Sequence, residues 1–229
     1  MKLLITGADG NLCAAVARHL APRHALRLTG RSPEAAEADP RLEYQQADLR
    51  CEEAVKPLVA DINSILHLGA FDPAPWDGDS AEQEALEYAT LGTYVLCQEA
   101  RRAGVERIVV AGSLCIFDAY PDSYLIDEMW RPRPAPDAAG LMPYLCEQVA
   151  REFAREGGIN GVCLRLLPIG DDPERNTRLA DALHAIDCAL ALEFTVAGYR
   201  WYVFHIATSP RYLVREAVRK LGFRPQEAR

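Results

Sequence analysis

Short apolar segments alternate with longer amphipathic segments along most of the chain. Six apolar segments are predicted to be strands, at residues 2–6, 25–29, 42–46, 64–68, 107–112 and 161–166. Four segments between them repeat apolar residues at helical spacing and are predicted to be helices, at 11–20, 52–60, 81–103 and 142–156. Strands that alternate with helices are typical of β-α-β units on a parallel sheet. The pattern therefore predicts an α/β fold with a doubly wound parallel sheet of the Rossmann type.

Two loop-like segments interrupt this alternation. Residues 118–140 carry four prolines, and residues 168–175 form a second turn-rich stretch. Long loops inside a compact domain are usually functional or disordered. We expect one domain over residues 1–229, with a small C-terminal cap that covers a substrate and is built from about 115–142 and 168–205.

Composition narrows the classes of function. The 229 residues are 49% hydrophobic, which is enough for a full core, and the net charge of −8 argues against nucleic acid as the main partner. The seven cysteines form no C-x-x-C pair and are predicted to be buried free thiols in a reducing compartment. The histidines lack metal-ligand spacing, and no apolar run approaches the roughly 20 residues that cross a bilayer. We therefore expect a cytoplasmic protein without a metal site or a membrane partner.

The first strand leads directly into a glycine turn and then a helix. Ligands of a parallel sheet bind at the carboxyl ends of its strands, and a helix N-terminus there offers free N–H groups to a pyrophosphate. Gly7 can adopt turn geometry that other residues avoid, and Gly10 allows a phosphate to approach the backbone. We predict that Gly7, Asp9, Gly10, Asn11 and Leu12 bind a dinucleotide. A glycine turn with a purely structural role is the alternative.

The end of the second strand bears on the choice of dinucleotide. A carboxylate about 20 residues after the glycines would hydrogen-bond the ribose 2′-OH of NAD, but Gly30 and Arg31 stand there. An arginine can pair with a 2′-phosphate and Ser32 can add a hydroxyl, so NADP is the predicted cofactor and NAD the second choice. The alternative is that Arg31 is only a surface residue. After the third strand, Asp48, which precedes Leu49, either accepts a hydrogen bond from adenine or forms a turn.

With these features the chain resembles the extended short-chain dehydrogenase/reductase superfamily, in its NAD-dependent epimerase/dehydratase group. Within that group it is most similar to compact uronate dehydrogenases, on account of the proline-rich loop 131–137. The resemblance extends over nearly the whole chain. It rests on Thr6-Gly7-x-x-Gly10, Asp48-Leu49, His67-Leu68-Gly69-Ala70, Gly92-Thr93, Ser113, Tyr144, Arg165 and Leu221-Gly222-Phe223-Arg224-Pro225.

The resemblance implies hydride transfer between a nicotinamide and a small, sugar-like substrate. Tyr144 would be the general acid/base and would contact the cofactor, and Ser113 would hold the substrate oxygen. Gln148 stands four residues after Tyr144, where the family has a lysine, and would bind the nicotinamide ribose without lowering the pKa of the tyrosine. Arg165 either clamps an anionic substrate group or holds the loop at Pro168.

The resemblance further implies that Leu68, Gly69 and Ala70 border the cofactor. It also implies a homodimer formed through the helices 81–103 and 142–156. Cys13 replaces the third glycine of the turn, and Ala89 replaces an asparagine that is frequent in the family.

Three functions are open at this point. The first is an NAD(P)-dependent oxidoreductase or epimerase. The second is a non-catalytic protein that binds NADP(H) and senses redox state. The third is a redox-neutral isomerase or lyase in which Tyr144 donates a proton as a neutral phenol.

Overall fold

Seven parallel strands form a single sheet in the order β3-β2-β1-β4-β5-β6-β7. The computed structural model describes residues 1–32, 42–71, 80–195, 198 and 200–225. The strands are β1 (Lys2–Thr6), β2 (Ala25–Gly30), β3 (Glu43–Gln46), β4 (Ser64–His67), β5 (Arg107–Ser113), β6 (Asn160–Leu166) and β7 (Trp201–Ile206). The strand order reverses between β1 and β4, which is where doubly wound sheets bind their ligands. The predicted doubly wound parallel sheet is confirmed.

Helices cover both faces of this sheet. They are α1 (Asn11–Leu20), α2 (Glu52–Val59), α3 (Ala81–Glu87), α4 (Thr93–Arg102), α5 (Ala138–Glu156) and α6 (Leu179–Ala191). Helices α1 and α6 pack on one face, and α2, α4 and α5 pack on the other. Alternate strand residues supply the two cores, so Leu3 faces the first and Leu4 the second. A π-helical segment, Tyr88–Gly92, joins α3 to α4.

The second predicted cap segment, 168–205, belongs largely to the sheet layers. Helix α6 packs against the sheet through Ala182, Ala185, Ile186 and Ala189, and β7 pairs with β6 as an edge strand. Residues 196, 197 and 199 of that segment lie outside the described residues. The sequence did not predict this helix because α6 is apolar at most positions, and its helical periodicity is therefore hard to recognise.

A smaller cap does cover the carboxyl ends of β5 and β6. Its cluster of buried side chains, called the cap cluster below, consists of Leu114, Ile116, Phe117, Ile126, Leu167, Ala207 and Tyr212. The first predicted cap segment supplies much of it, but α5 begins at Ala138 rather than at 142. The Asp137 carboxylate accepts the Gly140 N–H at 2.8 Å and thereby caps the helix four residues earlier. Among the described helices, none is long and apolar enough to cross a bilayer.

Candidate functional site

Two glycines meet where the strand order reverses. Gly7 follows β1 with φ of 82°, and a Cβ added there would lie only 2.6 Å from the Cα of Gly69, which follows β4. A Cβ on Gly69 would in turn overlap the Tyr88 hydroxyl. Neither position therefore tolerates a side chain. The crossing leaves a narrow space over bare backbone, beside the first N–H groups of α1.

A pocket with an empty volume of about 480 Å³ opens over this crossing. It is lined by residues from the glycine turn, the start of α1 and the ends of β2, β3 and β4. These are Gly7, Asp9, Gly10, Leu12, Cys13, Thr29, Gly30, Arg31, Ala47, Leu49, Leu68, Gly69 and Tyr88. The lining includes most of the predicted cofactor residues. Cys13, at the third glycine position, is accommodated because it is 2% exposed and packs into the core under α1.

Six predicted cofactor residues are not in this lining: Asn11, Ser32, Asp48, Ala70, Tyr144 and Gln148. The Asp48 carboxylate accepts hydrogen bonds from the Arg50 guanidinium, the shortest at 2.7 Å, and this pairing lowers the pKa of Asp48. The Arg50 backbone N–H also donates to this carboxylate, as is typical of a turn, and the hydrogen bond from adenine to Asp48 stays a prediction. Ala70 is buried in the core, Ser32 binds Asp9 through its backbone N–H, and Asn11 lines a neighbouring cavity.

The neighbouring cavity is wider, with an empty volume of about 1560 Å³, and it shares Leu12 with the pocket. It lies at the carboxyl ends of β5 and β6, next to the cap. Its lining consists of Asn11, Leu12, Phe71, Ser113, Cys115, Asp118, Ala119, Arg133, Pro134, Ala135, Pro136, Asp137, Ala139, Gly140, Pro143, Pro168 and Ile169. Ser113 is therefore at the cavity, as predicted for a substrate anchor. Its Oγ accepts the Cys115 N–H at 3.1 Å, so its own proton can be donated to a ligand.

The helix face toward this cavity carries Ala139, Gly140 and Pro143. Tyr144 is not one of the described residues that line the cavity, and its ring packs against the cap cluster. Gly140, which is four residues before Tyr144 and on the same helical face, does line the cavity, so Tyr144 lies one turn beyond the cavity-lining residues. Gln148 lies one turn beyond Tyr144, is half-buried and lines neither cavity. Tyr144 and Gln148 line neither cavity among the described residues, and their catalytic and cofactor roles stay predictions.

Arg165 is committed to a buried ion pair. Its Nε and Nη2 donate to the two Glu147 carboxylate oxygens at 2.8 and 2.6 Å, and the two side chains are 4% and 2% exposed. The guanidinium also stacks on the Phe117 ring. Arg165 therefore joins β6 to α5 and the cap cluster. It does not line the cavity, which corrects its prediction as a substrate-binding residue.

Two carboxylates, those of Asp9 and Glu84, lie at the end of β2. The Asp9 carboxylate accepts the backbone N–H groups of Arg31 and Ser32 at 2.8 and 2.9 Å. The Arg31 guanidinium lies 3.6 Å from the Glu84 carboxylate, a partner contributed by α3. Arg31 thus borders the pocket as predicted, but its charge is already opposed by a carboxylate. The expected preference for NADP is not supported by this arrangement.

His67 belongs to a chain of hydrogen bonds in the core. Thr93 donates to the Cys146 sulfur, so Thr93 Oγ1 accepts from His67 Nε2 at 3.0 Å, and His67 Nδ1 then accepts from Thr6 Oγ1 at 2.7 Å. Burial lowers the pKa of His67 to about 4. His67 is therefore a buried core residue with both ring nitrogens hydrogen-bonded.

The sequence reasoning missed the cavity-facing pair Ala139 and Pro143. A signal for them was present, because Asp137 followed by Ala138 is a typical helix start. A helix that begins there places residues 139 and 143 on one face at the spacing of four that the family uses for its tyrosine and lysine. Of the charged cavity residues, Arg133 and Asp137 stand in the proline-rich loop, where long loops often carry function.

Comparison with known proteins agrees with this architecture. The model of the NAD dependent epimerase/dehydratase family matches residues 3–186. A uronate dehydrogenase from Pseudomonas syringae pv. tomato is 30% identical over 196 residues, which cover 84% of this chain and 68% of the relative. A uronate dehydrogenase from Pseudomonas putida is 31% identical over 166 residues, which cover 72% of this chain and 60% of the relative. The chain thus spans about two thirds of the length of these relatives.

The solved structures give the same relationship. A mutant uronate dehydrogenase from Agrobacterium tumefaciens, complexed with NAD, superposes with a TM-score of 0.81 at 26% identity, covering 99% of this chain and 84% of the other. A glucuronic acid dehydrogenase from Chromohalobacter salexigens has a TM-score of 0.80 at 25% identity, with 99% and 85% covered. The chain belongs to the NAD dependent epimerase/dehydratase family.

Proposed function

We propose that this protein is an NAD-dependent oxidoreductase that acts on a small, polar substrate of the sugar-acid class. The observation that carries the proposal is the pair of adjoining cavities that share Leu12. One lies over the glycine crossing at the switch point, and the other holds Ser113 at the end of the next strand. A dinucleotide that spans both would have its adenosine half in the first and its reactive half in the second.

The residues of the pocket fit NAD. The close approach of the Gly7 and Gly69 backbones keeps side chains away from the start of α1, which presents its positive end to a pyrophosphate. NAD, when bound, would accept or supply a hydride. NAD is proposed over NADP because a 2′-phosphate would bring about two negative charges to the carboxylates of Asp9 and Glu84.

The wider cavity fits a polar, acidic substrate. Ser113 offers a hydroxyl proton, and the Asp118 and Asp137 carboxylates can accept hydrogen bonds from sugar hydroxyls. Arg133 is the cationic residue of this lining and would hold a carboxylate; its backbone N–H is bonded to Ile116 and its guanidinium stacks on Tyr120. The uronate dehydrogenases among the relatives support the same class of substrate.

The proposal is tested by measuring NADH formation from NAD with a panel of uronic and aldonic acids and neutral aldoses. We expect turnover with an acidic sugar, a large loss in Ser113→Ala because the substrate oxygen loses its donor, and a raised KM in Arg133→Ala. Arg151→Ala, an exposed arginine on α5, is the matched control and should behave as the wild type. Absence of NADH formation with every member of the panel would contradict an oxidoreductase.

A second function is favoured by one observation. Ala139 and Pro143 carry no ionisable group, so the helix face toward the cavity supplies neither a general acid nor a cation. A non-catalytic protein would bind NAD and the acidic ligand together without hydride transfer. It would show coupled binding in titrations and no NADH formation in the panel. The redox-neutral alternative relied on Tyr144 as proton donor and is not proposed, because Tyr144 packs against the cap cluster.

A further inference from the structure

The end of β2 lacks the side chain that a dinucleotide site of this type normally uses. A carboxylate about 20 residues after the glycine turn hydrogen-bonds the ribose hydroxyls of NAD. In this chain the last residue of β2 is Gly30, which has no side chain, and Arg31 follows it. Strand β2 itself therefore offers no carboxylate to the adenosine ribose.

A carboxylate reaches the same place from the glycine turn. A Cβ added to Gly30 would lie 2.8 and 2.9 Å from the two carboxylate oxygens of Asp9. Asp9 therefore fills the space in which a side chain at position 30 would begin. The N–H groups of Arg31 and Ser32 hold the carboxylate there, and both Asp9 and Gly30 line the pocket.

We infer that Asp9 is the residue that binds the adenosine ribose and selects NAD over NADP. The inference rests on the proposed function, since it requires the pocket to bind NAD. A carboxylate has about four acceptor positions, and the two N–H groups use two of them. The others can accept from the ribose 2′- and 3′-hydroxyls, whereas a 2′-phosphate has no proton to donate and is repelled.

The neighbouring charges act in the same direction. Among the described residues that line the pocket, Arg31 is the cation, and its guanidinium lies 3.6 Å from the Glu84 carboxylate. A 2′-phosphate would compete with Glu84 for Arg31 while facing Asp9. The glycine at position 30 follows from the same arrangement, because a second side chain there would collide with Asp9.

The test is a calorimetric titration of the wild type and three variants with NAD, NADP and ADP-ribose. ADP-ribose isolates the adenosine half from the nicotinamide half. In Asp9→Asn, which keeps the size of the side chain, we expect NAD and ADP-ribose to bind about tenfold more weakly or worse, because a charge-assisted hydrogen bond is lost. NADP should bind no more weakly than to the wild type, so the ratio of the two dissociation constants falls about tenfold.

The double variant Asp9→Ala with Gly30→Asp moves the carboxylate back to β2, and we expect it to restore the preference for NAD. Asp122→Asn is the matched control, because Asp122 is almost fully exposed and pairs with Arg211 outside the pocket lining. An unchanged ratio in Asp9→Asn, with a melting temperature that shows a folded protein, would overturn the inference. Failure of NAD and ADP-ribose to bind the wild type would instead overturn the proposed function.

Discussion

Gly7 illustrates how one residue shapes the nucleotide pocket. Gly7 and Gly104 both have positive φ, 82° and 77°, but a Cβ would meet the Gly69 backbone at Gly7 and open space at Gly104. We expect Gly104→Ala to lower the free energy of unfolding by about 1–2 kcal/mol, the cost of the left-handed conformation. Gly7→Ala should cost clearly more and abolish NAD binding.

Urea unfolding and calorimetric titration of both variants measure these effects. Because the backbone conformation is nearly the same at Gly7 and Gly104, the difference between the two losses of stability measures the contact between β1 and β4. Equal losses of stability, with NAD binding retained in Gly7→Ala, would contradict the close approach.

Other single residues were open to interpretation because their partners are distant in the sequence. Arg31 is a reasonable phosphate ligand until Glu84, from a helix about 50 residues later, is seen beside it. The sequence gives no signal for the ribose-binding role inferred for Asp9. Its carboxylate reaches the space beside Gly30 only when the glycine turn folds against β2. The glycine turn itself was predictable, since its strand, turn and helix are adjacent.

At the scale of elements, the rotation of α5 decides what chemistry the cavity can support. Residues 139 and 143 face the cavity, whereas 144 and 148 do not line it. We expect the double variant Ala139→Tyr with Pro143→Lys to raise kcat for NADH formation at least tenfold, because an acid/base with a nearby cation contributes about 10²–10⁴-fold. Replacing Pro143 also restores a backbone N–H for the Ala139 carbonyl.

The matched control places the same pair of side chains at residues that do not line the cavity. In Gln148→Lys, a lysine stands four residues after Tyr144, and we expect kcat to stay within about twofold of the wild type. Tyr144→Phe should likewise leave kcat unchanged. A large loss in Tyr144→Phe together with a gain in Gln148→Lys would contradict the orientation of α5.

The same helix is fixed to the sheet by its buried ion pair. Glu147→Gln removes the charge that balances Arg165, and both side chains are under 5% exposed. We expect the free energy of unfolding to fall by about 3–5 kcal/mol, as when one partner of a buried pair is removed. Glu152→Gln, in an exposed pair on α5, should cost less than about 1 kcal/mol in the same urea titration. Similar losses of stability in Glu147→Gln and Glu152→Gln would show that Arg165 is solvated.

Elements were predictable where their apolar pattern was local and clear. Helix α1 and strand β1 have the predicted bounds. Helix α6 was missed because its sequence is apolar at most positions and its partly exposed face carries few polar residues, such as His184 and Asp187. Strand β7, with little polar alternation, follows it as the edge strand. The start of α5 was misplaced because the proline-rich loop obscured the cap at Asp137.

The whole molecule should lose stability in mild acid because two histidines are buried in neutral form. Burial lowers the pKa of His67 to about 4 and of His205 to about 3. The unfolded chain takes up protons below about pH 6.5 and the folded chain does not, so the stabilisation is complete above that pH. This stabilisation is lost as the pH falls toward 4. The free energy of unfolding then decreases by at most about 1.4 kcal/mol per pH unit for each histidine.

Urea unfolding at several pH values between 4.5 and 7.5 measures this slope. Burial raises the pKa of Asp118 and Glu128, and this makes the free energy of unfolding fall as the pH rises in this range. The slope is therefore compared between the wild type and His67→Gln. His67→Gln keeps a donor and an acceptor but cannot titrate, and its slope should be smaller by the contribution of one histidine. Identical slopes in both proteins would mean that His67 is protonated in the folded state.

The predicted homodimer remains a prediction at this scale. Leu91 and Tyr94 are 47% and 49% exposed on the helices for which it was proposed, and Tyr94 contacts Phe153 of α5. A dimer through these helices would cover both side chains. If they form one, Leu91→Glu shifts the mass measured by light scattering to that of a monomer, whereas a monomeric wild type excludes the dimer.

The central claim is that the pocket over the glycine crossing binds NAD. The most direct measurement is a calorimetric titration of the protein, freed of any co-purified nucleotide, with NAD, NADH, NADP and NADPH. We predict that NAD or NADH binds at micromolar concentration and at least tenfold more tightly than its phosphorylated counterpart. Binding of none of the four, or tighter binding of NADP and NADPH, would contradict the account.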